Sequence, residues 1–206
     1  MGRRRGGDVL SGRAPAVFLD RDGVLNDPVV RAGTSGRPES PLDPADVRLA
    51  PGAAAGVRAL RGAGWLLVGA SNQPGAAKGE TTREALCAVH ARVVELLAAR
   101  DAALDGWEYC LHHPDAVDAS LRVCNCRKPA PGLLLRAAGA HGIDLTRSWL
   151  VGDTTADAGA ARAAGVAFAL VEHPGSTHRR ALDEAAAARG PDLETVAASI
   201  GMPSLP

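Results

Sequence analysis

The chain lacks an excess of charge of either sign: 23 basic side chains stand against 23 acidic ones among 206 residues. That balance argues against a protein held on nucleic acid by counterion release, which needs a basic face. No apolar run approaches the ~20 residues that span a bilayer, so no membrane association is expected. The Arg3-Arg4-Arg5 start is not followed by the apolar stretch of a secretory or twin-arginine signal and reads as a solvated basic tail. Aromatic residues make up only 3% of the chain while Ala and Gly abound, a bias of coding-sequence composition rather than of function. Cysteines are few and unevenly placed: Cys110, Cys124 and Cys126 lie within 17 positions, and Cys87 sits apart. A secreted disulfide framework would pair them evenly. Clustered thiols in a chain with nothing else extracellular about it point instead to a metal site and a cytoplasmic location. The length is enough to bury a core without such staples. We expect a flexible basic tail over 1–14, a single domain over 15–200, a short tail over 201–206, and a monomer.

What is present is an alternation of short apolar runs with amphipathic segments. Ala16 to Leu19 is a continuous apolar run ending in Asp20, as in a buried parallel strand. Strands are also expected over 65–70, 107–111, 148–152 and 166–171. Helices are expected over 51–61, opened by Pro and closed by Gly62 and Gly64, and over 82–100, where Thr81 and Glu84 have the spacing of a capping box. In that second helix Leu86, Val89, Val93, Leu96 and Leu97 form the apolar stripe, and Cys87 reads as helix packing. Further helices are expected over 131–142 and 157–165, with one or two at the C-terminus. The alternation predicts an α/β fold with a central parallel sheet and right-handed crossovers. Two stretches break the rhythm, the Gly-, Pro- and Ser-rich segment 27–51 and the cysteine-rich segment 111–128. Connections of such length are functional or mobile.

Ligands of an open parallel sheet bind outside the carboxyl ends of its strands. Polar groups collect at those ends: Asp20-Arg21-Asp22-Gly23 after the first strand, Ser71-Asn72-Gln73 after the second, Asp153 after the fourth with Asp157 one helical turn on, and Arg127-Lys128-Pro129 before a helix. Any one alone reads as a cap or turn. Jointly they supply carboxylates that repel unless a cation or a proton lies between them. Asp20, Asp22 and Asp153 suit an octahedral Mg²⁺ that keeps waters and a substrate phosphate. Lys128 and the Ser71 hydroxyl supply a charge and a donor for the other phosphate oxygens. That is equipment for phosphoryl transfer through an aspartyl-phosphate. A P-loop kinase is disfavoured by the lack of any Gly-x-x-x-x-Gly-Lys-Ser/Thr run.

Asp20-x-Asp22-Gly23, Ser71, Lys128 and Asp153-x-x-x-Asp157 together resemble the four motifs of the haloacid dehalogenase (HAD) superfamily, over residues 16 to 171. The resemblance implies a Rossmann-like three-layer sandwich with no separate cap domain. It implies Asp20 as nucleophile and Asp22 as the acid and then base. It also implies Mg²⁺ held by the Asp20 carboxylate, the Asp22 main-chain carbonyl and Asp153 with Asp157 behind them, and Ser71 and Lys128 on the phosphoryl group.

Cys110-x-His112 and Cys124-x-Cys126 supply three thiolates and one imidazole, a closed tetrahedral set for structural Zn²⁺. The competing reading, scattered buried thiols beside a surface His, fits two paired ligands around an aperiodic loop poorly. His113 has the worse spacing. Cys-x-His-His-Pro followed by Cys-x-Cys-Arg-Lys-Pro resembles the heptose bisphosphate phosphatases of that superfamily, and the 11 residues between His112 and Cys124 favour them over the histidinol-phosphate phosphatases. The resemblance implies a sugar phosphate substrate met by Arg127, Asn72, Gln73 and Asn26. This chain departs from that family in Pro28 to Arg31 after Asn26, in Thr154 after Asp153, and in the length of segment 27–51. A catalytically silent, zinc-stabilised interaction module is the reading from another class. Retention of the whole acidic and basic set counts against it.

Overall fold

The computed structural model describes residues 13–181 and 185–203. The expected N-terminal tail falls almost wholly outside those residues, as does the end of the C-terminal one. Six parallel strands form the sheet: β1 (Ala16–Leu19), β2 (Leu66–Asn72), β3 (Gly106–Cys110), β4 (Trp149–Gly152), β5 (Ala167–Val171) and β6 (Ala188–Gly190), in the order β3-β2-β1-β4-β5-β6. Five helices connect or follow them: α1 (Ala53–Gly62), α2 (Arg83–Ala98), α3 (Gly132–His141), α4 (Thr155–Ala164) and α5 (Leu193–Ile200).

The period of two along each strand divides the interior into two cores. Val17, Leu19 and Val151 face α1, α2 and α5, packing with Val57, Leu60, Val89, Val93, Leu97, Leu193 and Val196. Ala16, Phe18 and Leu150 face α3 and α4, packing with Leu133, Leu134, Ala137, Ala160 and Ala161. Strands buried on both faces explain why they read as continuous apolar runs. Each fully buried Leu or Phe contributes about 1.5–3 kcal/mol. The result is three layers, helix-sheet-helix.

Chain order reverses beside β1. From it the chain steps outward to β2 and β3, then crosses back over the other face to β4 and on to β5. The crevice at the carboxyl ends of β1 and β4 is the topological switch point, where an open sheet binds its ligand.

Local chemistry moves several boundaries from their expected places. Helix α1 starts at Ala53 because Gly52 is left-handed, with φ +67°. Helix α2 is capped by Thr82, whose hydroxyl accepts from Ala85 N at 3.1 Å, so the cap lies one residue beyond Thr81. Helix α4 starts two residues early because Thr154 and Asp157 close its first turn on each other. Strand β2 runs on to Asn72, since Ser71 and Asn72 pair with Tyr109 and Cys110 of β3. The sixth strand, Ala-Arg-Gly, has no β-branched or aromatic residue and no alternation to reveal it. Cys87 is exposed on α2 rather than packed. Segment 27–51 folds back as a strap: Val29 bridges Glu39, Asn26 bridges Leu49, and a 3₁₀ turn covers Pro44–Asp46. No described helix is long and apolar enough to cross a membrane.

Candidate active site

Two aspartates two residues apart leave β1 in different directions. Asp20 turns toward Lys128, its Oδ1 lying 3.0 Å from Nζ and accepting from Arg21 N at 2.7 Å. Asp22 turns away into a closed network. It accepts from Arg21 Nε and Nη2 at 3.0 and 3.1 Å, Asn26 Nδ2 at 2.9 Å, Ser40 Oγ at 2.7 Å and Gln73 Nε2 at 2.7 Å. Burial alone would raise the Asp22 pKa. The Arg21 guanidinium and the three neutral donors overcome it and hold the carboxyl below its ordinary range. Arg21, 1% exposed, spends a further donor on Gln73 Oε1 at 2.7 Å.

Ser71, the penultimate residue of β2, lies beside Asp20 on the wall of a cavity of about 330 Å³, which Asp22, Asn72, Arg127 and Lys128 also line. Asn72 exchanges two bonds of 3.0 Å with the Lys128 main chain, and so ties the loop before α3 to the end of β2. Lys128 Nζ donates to Ala70 O at 2.7 Å and meets Asp157 Oδ1 at 2.6 Å as well as Asp20. Burial would discharge this amine, but the carboxylates of Asp157 and Asp20 hold its pKa above the ordinary lysine value. Asn26 and Gln73 were expected on the substrate side. Both are instead buried around Asp22 and are not among the cavity's lining residues.

Asp153 leaves β4 fully buried. Its Oδ2 accepts from Ser176 Oγ, and its Oδ1 has no hydrogen-bond partner among the described residues. Asp157, three residues into α4, accepts from Thr154 N at 3.1 Å and Thr154 Oγ1 at 2.6 Å. Ligand oxygens of Asp20, Asp153 and Asp157 lie within 4.8 Å of one another. Burial, and then mutual repulsion, push the pKa of Asp153 well above the carboxylate range and raise that of Asp20. An orphaned buried oxygen in a crowded acidic cluster fits a bound cation, and hard carboxylate oxygens suit Mg²⁺. Gly23 makes room for that cluster: at φ +87°, a Cβ there would collide with the Asp153 carboxylate.

The second metal-type cluster lies next to Arg127. Cys110 Sγ is 3.7 Å from both His112 Nδ1 and Cys124 Sγ, and Cys126 Sγ is 3.5 Å from His112 Nδ1. Thiolates about 2.3 Å from a tetrahedral zinc stand about 3.8 Å apart, so these separations suit that ion. Burial and the neighbouring thiols push Cys110 up to about 12, so a thiolate there needs a cation. His113 stays outside, accepting from Asp115 N. The cluster seats the chain just before Lys128: Arg127 N donates to Cys124 Sγ at 3.4 Å, and its Nη1 donates to His112 O at 3.2 Å.

Sequence reasoning missed Arg21, Ser40 and Ser176 as members of the site, and Glu39 and Arg179 on the cavity wall. Arg21 lies inside the first motif and was legible there. The others come from loops with no periodicity.

A parallel sheet whose switch point gathers a buried aspartate, a lysine held against it and a second acidic pair defines a hydrolase of the HAD type. Residues 125–201 match the HAD-hydrolase-like family model. A D-glycero-beta-D-manno-heptose-1,7-bisphosphate 7-phosphatase of Rhodopseudomonas palustris is 37% identical over 155 residues, 75% of this chain and 81% of that one. A D-glycero-D-manno-heptose-1,7-bisphosphate 7-phosphatase of Thermosynechococcus vestitus is 43% identical over 163 residues, 77% and 79% of the two chains. Among solved structures, a D,D-heptose 1,7-bisphosphate phosphatase from B. bronchiseptica, complexed with magnesium and phosphate, superposes with a TM-score of 0.74 at 31% identity. That match covers 90% of this chain and 97% of the other. The chain therefore belongs to the heptose-1,7-bisphosphate 7-phosphatase family of the HAD superfamily.

Proposed function

We propose that this protein removes the C7 phosphate of D-glycero-D-manno-heptose 1,7-bisphosphate through a phosphorylated Asp20. The observation that carries the reading is Asp20 itself: a buried carboxylate on the cavity wall, held by Lys128 and Arg21 N beside an acidic cluster with an unmet oxygen. Asp20, the Asp22 carbonyl and Asp153 would hold Mg²⁺, with Asp157 behind them. The ion would neutralise charge on the phosphoryl group as the carboxylate approaches.

Asp20 Oδ attacks phosphorus, forming one P–O bond while the bond to the sugar oxygen breaks. The departing alkoxide takes a proton from Asp22. A water then returns a proton to Asp22 and attacks phosphorus, freeing Asp20 and inorganic phosphate. At rest Asp22 is the anion, locked to Arg21. A phosphate dianion arriving beside it opposes that charge and raises its pKa, so Asp22 takes up from solvent the proton it gives the alkoxide and releases one to solvent when phosphate leaves. Lys128 and Ser71 stabilise the transferred group.

Cys110, His112, Cys124 and Cys126 would hold a structural Zn²⁺, leaving no open position for hydrolysis. Its role there would be to position Arg127 and Lys128. Arg127 would meet the sugar phosphate and Asn72 would line the site. Clustered thiols that suit a metal rather than a disulfide framework support a cytoplasmic location.

A Mg²⁺-dependent substrate panel tests the assignment, setting both anomers of heptose 1,7-bisphosphate against histidinol phosphate and fructose 1,6-bisphosphate. The expected result is the highest kcat/KM on a heptose bisphosphate. A clear preference for histidinol phosphate would reverse it, and no turnover of any phosphomonoester would favour a silent module.

A further inference from the structure

The cavity beside Asp20 carries three cations, and they differ in how fully they are engaged. Lys128 is committed to Ala70 O, Asp20 and Asp157. Arg127 gives Nη1 to His112 O. Arg179 is different. It closes the 3₁₀ turn Pro174–Arg179 after β5, and its Nε and Nη2 are buried with no hydrogen-bond partner among the described residues. Its ion pair is a long one, Nη1 to Glu39 Oε2 at 3.7 Å, and the same carboxylate is shared with His178 Nε2 at 3.7 Å.

Burying donors without acceptors costs free energy, so a guanidinium in this condition is completed by a ligand or is a defect. Its surroundings favour a ligand. Arg179 lines the same cavity as Asp20, and its charge bears on Asp153. The cavity, at about 330 Å³, is far larger than one phosphate and reaches the lower end of small-molecule sites. Arg127 enters from the β3 side of the sheet and Arg179 from the β5 side, so a substrate between them meets positive charge on both flanks.

We propose that Arg179 is a specificity-determining residue that receives the second, non-reacting phosphate of a sugar bisphosphate. In the free protein Glu39 of the strap holds the guanidinium loosely. A phosphate offers the planar fork two oxygens at hydrogen-bond distance, which the 3.7 Å pair with Glu39 does not. This rests on the reading that Asp20 takes the transferred phosphate, because only then is a second anion left for Arg179.

The experiment compares wild type, Arg179→Gln and Arg179→Lys on paired substrates with and without the second phosphate: heptose 1,7-bisphosphate against heptose 7-phosphate, and fructose 1,6-bisphosphate against fructose 6-phosphate. The bisphosphate-to-monophosphate ratio of kcat/KM should fall about 10- to 100-fold in Arg179→Gln, mostly through KM, as expected for one charge-assisted contact. Arg179→Lys should recover part of it, and the loss on each monophosphate should be smaller than on its bisphosphate. Equal loss on both members of a pair, or no loss on either, would overturn the proposal. Calorimetric binding of the same pairs to Asp20→Asn, with and without Arg179→Gln, reads the ratio without turnover. If the heptose pair fails in wild type while the fructose pair shows the ratio, the substrate reading is wrong and the role of Arg179 stands.

Discussion

Asp20 and Asp22 share one short turn, yet the protein gives them opposite electrostatic histories. Burial and then the neighbouring carboxylates raise the Asp20 pKa, while a cage of donors led by Arg21 lowers that of Asp22 against its burial. The two environments hold the carboxyl pKa values apart; under the proposed function Asp20 is the nucleophile and Asp22 the proton carrier. Asp20→Asn should lower phosphate release at least about 1,000-fold while circular dichroism and the melting temperature change little. Arg21→Ala leaves the Asp22 charge buried and unpaired, at a cost of about 3–5 kcal/mol. For a chain of this size that is a fall of roughly 10 °C in Tm. The sign with pH follows from the depressed pKa. The Asp22–Arg21 contribution is complete above the ordinary aspartate value of 3.8 and is lost as pH falls through the lower folded value. The Tm gap between wild type and Arg21→Ala should therefore be widest near neutrality and close in acid; a gap that persisted unchanged into acid would contradict the pairing. The residues that end strands were legible because an acid after an apolar run stands out. Ser40 and Ser176 were not, since they reach Asp22 and Asp153 from 18 and 23 positions away in aperiodic loops.

Elements matter here as holders of loops. The Cys/His cluster was legible as a candidate metal site because its members come in two close pairs, whereas the strap over segment 27–51 offered only composition. Its folding depends on bridges such as Val29 to Glu39, which tie residues with no local pattern. The three-residue β6 was hidden for the same reason, since pairing with β5 alone defines it. Elemental analysis of metal-replete protein should find one equivalent of zinc per chain, lost in the Cys124→Ser, Cys126→Ser double variant. Because Arg127 N bonds Cys124 Sγ, that variant should also raise KM. Zinc-free wild type with normal kinetics would dismiss the structural site. Gly23→Ala puts a methyl group onto the Asp153 carboxylate, from a backbone conformation that disfavours side chains. It should abolish Mg²⁺ binding measured by calorimetry, even if the protein still folds.

At the scale of the whole molecule, the two-sided burial of the sheet made the α/β layering plain in the sequence. Strand order and the position of the switch point were not, because pairing between distant strands leaves no local mark. The fold's function is to bring β1 and β4 side by side, so that carboxylates more than a hundred residues apart in the chain share one pocket. Such a pocket competes for protons when no cation fills it. Asp20 and Asp153 have raised pKa values and must both be charged to bind the metal, so Mg²⁺ affinity should weaken as pH falls through those raised values. The most direct test of the account is the covalent state of Asp20 during turnover. Acid-quenched single-turnover reaction of heptose 1,7-bisphosphate with Mg²⁺, followed by mass spectrometry of the peptide carrying residue 20, should show one phosphoryl group on Asp20 that rises and decays as phosphate appears. Full product formation with that peptide unmodified, or with the phosphoryl group on another residue, would contradict it.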